Sequence, residues 1–236
     1  IENCYSTAKL SGTYVGGIIG EGGETISNCS SSGNFSGYDA GGIAGKLNVG
    51  TIENCYSTAK LSGTYVGGIL STSQCYSGLS TVKNCYYLGK DITIDGDNAG
   101  GIVSSEYGND SRVKVENCIA LIENINSSSR SNRIGHYMET KNNNYAWSGM
   151  KLNGNTVTDG ALNNDNGADV ELVDGKVYYN NAEFDWEANG FTEENGWVLP
   201  SRPYEMPKLK NDTAFPVLTL TQQAYSGIKI NETPQV

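Results

Sequence analysis

The sequence contains a single histidine, His136, and this scarcity limits the chemistry open to the chain. A Ser-His-Asp or Cys-His site would have to use His136, and the HYMET sequence there is not the H-E-x-x-H motif of zinc peptidases. The 6 cysteines include no C-x-x-C pair, which disfavours a zinc site. We therefore predict a chain that is not an enzyme and that has no catalytic, metal-binding or cofactor-binding residues.

Basic residues and long apolar runs are also scarce. The 16 Lys and Arg residues are outnumbered by 26 Asp and Glu residues, which gives a formal net charge of −10. Nucleic acids and anionic membrane surfaces both select clustered Lys and Arg, so this charge disfavours both partners. No apolar run approaches the length of a membrane-spanning helix, and no apolar stripe recurs at helical spacing. These features argue against nucleic-acid binding, membrane insertion and helical repeats.

The dominant feature present is an internal repeat. The segment Ile1–Ile18, IENCYSTAKLSGTYVGGI, returns unchanged as Ile52–Ile69, and a looser copy lies between the two. Further copies follow with insertions, so that the repeated cysteines are separated by 25, 26, 30 and 33 residues. A period of this length indicates a solenoid, propeller or array. The five units begin near Cys4, Cys29, Cys55, Cys85 and Cys118.

The residues inside one unit predict a parallel β-helix. Each unit has short β-branched and aromatic runs separated by Gly-Gly and Ser-Gly turns. The length of a unit suits one coil of a β-helix, so the five units predict about five coils. The apolar residue and the cysteine of I-E-N-C are three positions apart, so both can point inward only if the chain bends between them. We place that bend at the asparagine, which tolerates left-handed backbone. After the bend, Cys4, Ser6, Ala8 and Leu10 should point inward, whereas Glu2, Tyr5, Thr7 and Lys9 should point outward.

The five repeated cysteines occupy one position in successive coils, so they should stack with parallel Cβ vectors. Disulfide bonds need convergent Cβ vectors, and we therefore predict reduced thiols that act as small apolar side chains. Cys75 lies in an insertion, where it is either part of a slipped repeat or an exposed thiol.

The pattern [IV]-x-N-C-Y-S-T, a turn and [VA]-G-G-I resembles the GLUG repeats of large bacterial surface proteins, including the region that precedes the catalytic domain of immunoglobulin A1 metallopeptidases. The resemblance covers residues 1–141, and it implies a right-handed parallel β-helix in an exported, adhesin-like protein at the cell surface. Residues 142–218 resemble the segment that closes such arrays, and we expect Trp147, Trp186 and Trp197 to cover the last coil there. Residues 219–236 are predicted to be a linker or the start of another module.

Two sets of tyrosines are the candidate ligand contacts. Stacked surface tyrosines would offer a large contact area to a glycan or a host protein, although they would equally serve as ladder residues that stiffen the rod. Ser30 interrupts the first set at the second coil. The first set follows the cysteines and the second precedes the Gly-Gly turns: Tyr5, Tyr56 and Tyr86; Tyr14, Tyr38 and Tyr65.

Three functions remain open from the sequence. The favoured one is a non-enzymatic stalk or adhesin module, monomeric as a fragment of a longer chain. The second is a targeting module of a larger secreted hydrolase or peptidase. The third is a β-helix carbohydrate-active enzyme, for which Asp91, Asp95 and Asp97 would be the acidic residues, although a place in surface turns is the favoured explanation of these acids.

Overall fold

The structure is a computed structural model that describes residues 1–74, 78–89, 91–104, 112–218 and 220, with the backbone alone for residues 91–97. Within this part of the chain every regular element is a β-strand. Cys75 and nearly all of the predicted linker, residues 219–236, lie outside the described residues.

The repeated sequence forms successive coils that contain the same strands in the same order. The first three coils contain β1 (Tyr5–Ser6), β2 (Lys9–Gly16) and β3 (Ile19–Gly22); β4 (Thr25–Ser27), β5 (Ser30–Ser31), β6 (Asn34–Gly41) and β7 (Ala44–Leu47); β8 (Thr51–Glu53), β9 (Tyr56–Ser57), β10 (Lys60–Gly67) and β11 (Leu70–Ser73). The next three contain β12 (Ser80–Lys83), β13 (Tyr86–Leu88) and β14 (Asp91–Gly100); β15 (Val113–Glu116), β16 (Ile119–Leu121), β17 (Asn124–Asn126) and β18 (Arg130–Asn132); β19 (Met138–Asn142), β20 (Tyr145–Trp147) and β21 (Lys151–Leu152).

Each strand pairs in parallel with its counterpart in the next coil, so the fold is the predicted parallel β-helix. Four sheets run along the rod. Sheet A joins the strands before the asparagine bend, sheet B those after it, sheet C the long strands and sheet D the last strands of the first three coils. Their orders are β4-β8-β12-β15-β19, β1-β5-β9-β13-β16-β20, β2-β6-β10-β14-β17-β21 and β3-β7-β11.

The bend at the asparagine is confirmed. Six asparagines, one in each coil, have left-handed backbone with φ between 50° and 55°: Asn3, Asn28, Asn54, Asn84, Asn117 and Asn143. The side-chain amides of the last four form a hydrogen-bonded ladder. Asn117 Nδ2 donates to Asn84 Oδ1 at 3.1 Å, and Asn84 Nδ2 donates to Asn54 Oδ1 at 3.2 Å. Asn143 Nδ2 donates to Asn117 Oδ1 at 2.9 Å, so the ladder satisfies amides that the turn would otherwise leave without partners in the rod wall.

The interior follows the predicted alternation. In the third coil Cys55, Ser57, Ala59 and Leu61 are buried, as expected for the inward positions after the bend. The second glycine of each Gly-Gly pair allows close packing, because a Cβ at Gly42 would overlap both Ser57 and the Gly68 carbonyl. Four of the repeated cysteines are buried free thiols, and burial raises the pKa of the Cys85 thiol well above its ordinary value. In the first coil Cys4 and Ala8 are exposed, contrary to the expectation that both lie inside.

The rod has about six turns, close to the five predicted. In the sixth turn Asn144 takes the place of the repeated cysteine, and its Oδ1 accepts a hydrogen bond from the Cys118 amide at 3.0 Å. The fully buried Arg133 ties the following segment to this end of the rod. Its Nη2 donates to the Gly167 carbonyl at 2.8 Å and pairs with Asp169 Oδ1 at 2.7 Å.

The remaining chain turns back along the side of the rod. Its strands are β22 (Asn155–Thr156), which pairs with β21; β23 (Ala168–Val173), which extends sheet B beside β20; and β24 (Lys176–Tyr179), β25 (Ala182–Glu183), β26 (Trp197–Val198) and β27 (Lys208–Leu209). We call residues 184–218 the returning segment.

The returning segment follows the column of left-handed asparagines from the sixth coil to the first. Asn143 Nδ2 donates to Asn189 Oδ1 at 2.8 Å, and Asn211 Nδ2 donates to Asn3 Oδ1 at 3.3 Å. Between these ends Gly190, with a positive φ of 86°, lies so close to Asn84 that a side chain would overlap it. The chain therefore reverses its direction relative to the rod axis and lies along one side.

The three tryptophans do not share one place over the last coil, as the sequence had suggested. Trp147 belongs to β20 in the sixth turn, whereas Trp186 and Trp197 belong to the returning segment. Trp197 packs against the side of the rod, with its ring centroid 5.8 Å from that of Tyr86. The side of the rod is thus the surface that the C-terminal aromatic residues cover.

Candidate functional site

The outward residues of sheet B form one column along the rod. The strand register aligns Tyr5 with Ser30, Ser30 with Tyr56, and Tyr56 with Tyr86, so the interruption predicted at Ser30 is confirmed. Ile119 and Tyr145 continue the same column in the fifth and sixth coils. All of these side chains point away from the interior of the rod, and what covers each of them depends on the returning segment.

Two of the three tyrosines expected to be exposed in this column are buried. Tyr56 is 8% exposed and Tyr86 is 0% exposed, whereas Tyr5 is 77% exposed. The Tyr56 and Tyr86 rings stack at 4.9 Å, and Trp197 of the returning segment lies against both. Burial raises the pKa of both phenols above its ordinary value, and the Asp212 carboxylate adds to this effect at Tyr56. Of this set, only Tyr5 can meet a ligand without displacement of the returning segment.

The second set of tyrosines is also less regular than the sequence suggested. The register pairs Tyr14 with Asp39 and Asp39 with Tyr65, so Tyr38 stands one position away from the column. Tyr65 is buried, and the exposed Tyr38 packs edge-on against it at 5.3 Å. Tyr14 lies under the Lys46 ammonium at 4.8 Å, and Lys46 also pairs with Glu21 at 3.1 Å. These contacts give the tyrosines of sheet C a structural role.

A cavity of the described structure lies beside Tyr5. It has a volume of about 720 Å³ and opens between sheet B of the first three coils and residues 211–217 of the returning segment. This volume falls within the range of ordinary ligand sites, roughly 300–1,000 Å³. We call it the lateral cleft.

The floor of the lateral cleft consists of hydroxyl side chains. Thr7, Ser32 and Thr58 each follow the paired residues Ser6, Ser31 and Ser57 by one position, so they stand in one column on the outer face of sheet B. Parallel strands place successive members of such a column roughly 4.8 Å apart. The floor is therefore a short ladder of hydroxyl groups with Tyr5 next to it.

Asp212 holds the opposite wall in place. Its Oδ2 accepts hydrogen bonds from the Tyr56 hydroxyl at 2.7 Å and from the Leu209 amide at 3.1 Å. Its Oδ1 accepts a hydrogen bond from Ser30 Oγ at 3.2 Å. Ser30 leaves room for this contact because it is the one small residue in a column of large ones. The interruption in the tyrosine column is thus the place where the returning segment is anchored.

The remaining candidates from the sequence are Asp91, Asp95, Asp97 and His136. Asp91 lies at the start of β14, and the side chains of Asp91, Asp95 and Asp97 are outside the described part of the structure. His136 follows the fifth coil, where burial lowers its pKa from its ordinary value. Within the described residues, no group of three or more His, Cys, Asp or Glu side chains is placed to hold a metal ion. No helix in the same residues is long and apolar enough to cross a membrane.

Repeat periodicity did not predict Asp212 and Phe215, which line the cleft from the returning segment. Both lie outside the repeats, in NDTAFP, where periodicity has no bearing. The single signal within the repeats was Ser30, since a small residue in a tyrosine column leaves space for a partner.

Comparison with solved structures supports the fold. The chain is similar to a crystal structure described as a "putative immunoglobulin A1 protease" from Bacteroides ovatus, with a TM-score of 0.59 and 23% sequence identity. The alignment covers 89% of this chain and 68% of that one. No protein-family model matches the chain, and no curated protein matches it. The likeness therefore supports the β-solenoid fold of this chain.

Proposed function

We propose that the chain is a non-enzymatic module of a larger extracellular protein, which binds host or glycan ligands at the cell surface in the manner of an adhesin. The lateral cleft is the observation that carries this proposal. It is a cavity of about 720 Å³ with an exposed aromatic side chain and several hydroxyl groups, and it lies on the side of the rod. Such a mixture of apolar and hydrogen-bonding groups is typical of ligand sites.

The proposal is tested by applying the purified chain to arrays of glycans and of host extracellular proteins. Saturable binding to members of either array is the expected result. The unfolded chain serves as the control, because a site built from three coils and the returning segment disappears on unfolding. Absence of saturable binding on both arrays would contradict the proposal, and release of reducing ends from a bound polysaccharide would contradict its non-enzymatic part.

A second candidate is a targeting module of a larger hydrolase or peptidase. The observation that favours it is the likeness to the Bacteroides ovatus protein, whose name describes a protease. The two candidates differ in the domains that adjoin the chain. Sequencing of the flanking coding region separates them, since a catalytic domain on either side supports the second candidate.

A further inference from the structure

The lateral cleft combines three features that together identify a class of ligand. We propose that it binds a neutral saccharide, with the Tyr5 ring against the apolar face of a sugar and the Thr7, Ser32 and Thr58 hydroxyls bonded to the sugar hydroxyls. This inference rests on the proposed binding function and assigns its site and its ligand chemistry.

The hydroxyl ladder supplies hydrogen-bonding groups that the fold itself does not use. The Ser32 amide donates to the Ser6 carbonyl at 2.8 Å, and the Thr58 amide donates to the Ser31 carbonyl at 2.9 Å, so pairing between the coils holds the backbone here. Among the described residues, none donates to or accepts from the hydroxyls of Thr7, Ser32 and Thr58. A hydroxyl both donates and accepts, as a sugar hydroxyl does, so a ladder of such groups matches a polyhydroxylated ligand.

The aromatic side chain of the cleft matches the apolar faces of a sugar ring. A pyranose carries its hydroxyl groups at the rim and exposes C–H groups on its faces. Tyr5 is 77% exposed and lines the cleft, where its ring offers a large contact area with little loss of side-chain entropy on binding. Phe215 and Val217 on the returning segment add apolar surface opposite the floor.

The charges at the cleft favour an uncharged ligand. Lys60 and Asp212 are the two charged residues that line it, one of each sign. The Asp212 carboxylate already accepts hydrogen bonds from Ser30, Tyr56 and the Leu209 amide. The chain as a whole has a formal charge of −10, which repels acidic polysaccharides at low ionic strength.

The same geometry disfavours a peptide. Extended peptides bind to β-proteins mainly by pairing their backbone with the free N–H and C=O groups of a strand edge. At Ser32 and Thr58 on the cleft floor, the backbone amides are taken by the preceding coil, so at these two positions the side-chain hydroxyls are the groups that remain. A ligand that bonds through hydroxyls fits this floor better than a ligand that bonds through its backbone.

The test uses the full chain and a panel of neutral oligosaccharides of glucose, galactose, mannose and N-acetylhexosamine, together with sialylated and sulfated versions of the same backbones. Affinity is measured by titration calorimetry for the wild-type chain and for four variants. Tyr5→Ala and Thr58→Val alter the cleft. Tyr38→Ala and Thr64→Val are the matched controls, since Tyr38 is an exposed tyrosine, Thr64 a threonine of β10, and both lie outside the cleft.

We expect binding to at least one neutral oligosaccharide, with the affinity about tenfold lower in Tyr5→Ala and about threefold to tenfold lower in Thr58→Val. The controls should bind as the wild-type chain does, and all variants should keep its thermal midpoint within a few degrees. If the cleft variants retain full affinity for a bound glycan, the cleft assignment is wrong while the binding function stands. Selective binding to sialylated or sulfated glycans, or to a host protein after its glycans are removed, would show that the ligand is not a neutral saccharide, while the proposed binding function stands. No binding on either array overturns both proposals.

Discussion

Two coils of this protein have one sequence and two environments. Residues Ile1–Ile18 and Ile52–Ile69 are identical, and both copies form the same long strand, β2 and β10. Their asparagines adopt the same left-handed backbone, with φ of 55° at Asn3 and 53° at Asn54. Yet Ile1 is 44% exposed where Ile52 is 0%, and Cys4 is exposed where Cys55 is buried.

The comparison separates the structural properties that the sequence of a coil determines from those that its neighbours determine. Turn geometry and strand direction follow from the local sequence, because they are the same in both copies. Burial follows from the coils stacked on each side and from the returning segment, because it differs between copies with the same residues. The same substitution made in each of the two copies therefore measures the effect of the neighbouring coils and of the returning segment, because the residue and its replacement are the same.

The largest difference is expected between Tyr56→Ala and Tyr5→Ala. Tyr56 stacks on Tyr86, contacts Trp197 and donates to Asp212, so its removal leaves a cavity and an unfilled acceptor. We expect Tyr56→Ala to lower the free energy of unfolding by about 3–5 kcal/mol. Tyr5→Ala should change it by less than about 0.5 kcal/mol, since Tyr5 is exposed. Equal losses in chemical denaturation would show that the returning segment does not pack on the third coil.

The next difference concerns the inward isoleucines. Ile52 pairs in register with Ile26 and Val82 inside the rod, and we expect Ile52→Ala to lower the free energy of unfolding by about 2–4 kcal/mol. Ile1→Ala should lower it by well under 1 kcal/mol, because the side chain is partly in water already. Denaturant titration of both variants measures the difference. A large loss in Ile1→Ala would mean that the first coil is covered in solution.

The asparagine bend should give a smaller effect. Asn54→Ala places a side chain without local hydrogen bonding in left-handed backbone and removes the acceptor of Asn84 Nδ2, so we expect a loss of about 1–2 kcal/mol. Asn54→Gly should recover part of this loss, because glycine adopts the same φ without strain. The same pair at Asn3 should show smaller changes, since the first coil has one neighbouring coil. If Asn54→Gly is as damaging as Asn54→Ala, the amide ladder matters more than the backbone conformation.

The thiols should show a difference in reactivity with little change in stability. Cys4 is exposed, whereas Cys29, Cys55, Cys85 and Cys118 are buried. We expect a maleimide to label Cys4 in the folded protein within minutes and to reach the four buried thiols only at the rate of unfolding. Mass spectrometry of the labelled peptides identifies each site. In denaturant, without reductant, all five should react, and fewer would contradict the column of free thiols.

The parts of the fold that repeat were predictable from the sequence, for physical reasons. A recurring I-x-N-C requires one conformation that suits every coil, so the bend, the inward cysteines and the parallel pairing all followed from it. The sixth turn was harder to recognise, because Asn144 stands where the earlier coils have cysteine. A signal was present in N-N-Y-A-W, Asn143–Trp147, which aligns with N-C-I-A-L, Asn117–Leu121.

The candidate site was less predictable because one of its walls does not repeat. Alternation correctly placed Tyr5, Tyr56 and Tyr86 on the outer face of sheet B, but it carries no information about what covers that face. The cover comes from residues far away in sequence, such as Trp197 and Asp212, whose contacts with Tyr56 span more than a hundred residues. Burial of Tyr56 and exposure of Tyr5 could thus be known only from the assembled chain.

The path of the returning segment also determines how the described chain would respond to force. Val217 lines the same cleft as Tyr5, so two residues that are far apart in sequence lie side by side. Tension applied between residue 1 and residue 218 would first load the contacts of Asn211 with Asn3 and of Asp212 with Tyr56. The coils between Tyr56 and the sixth turn would bear little of that load.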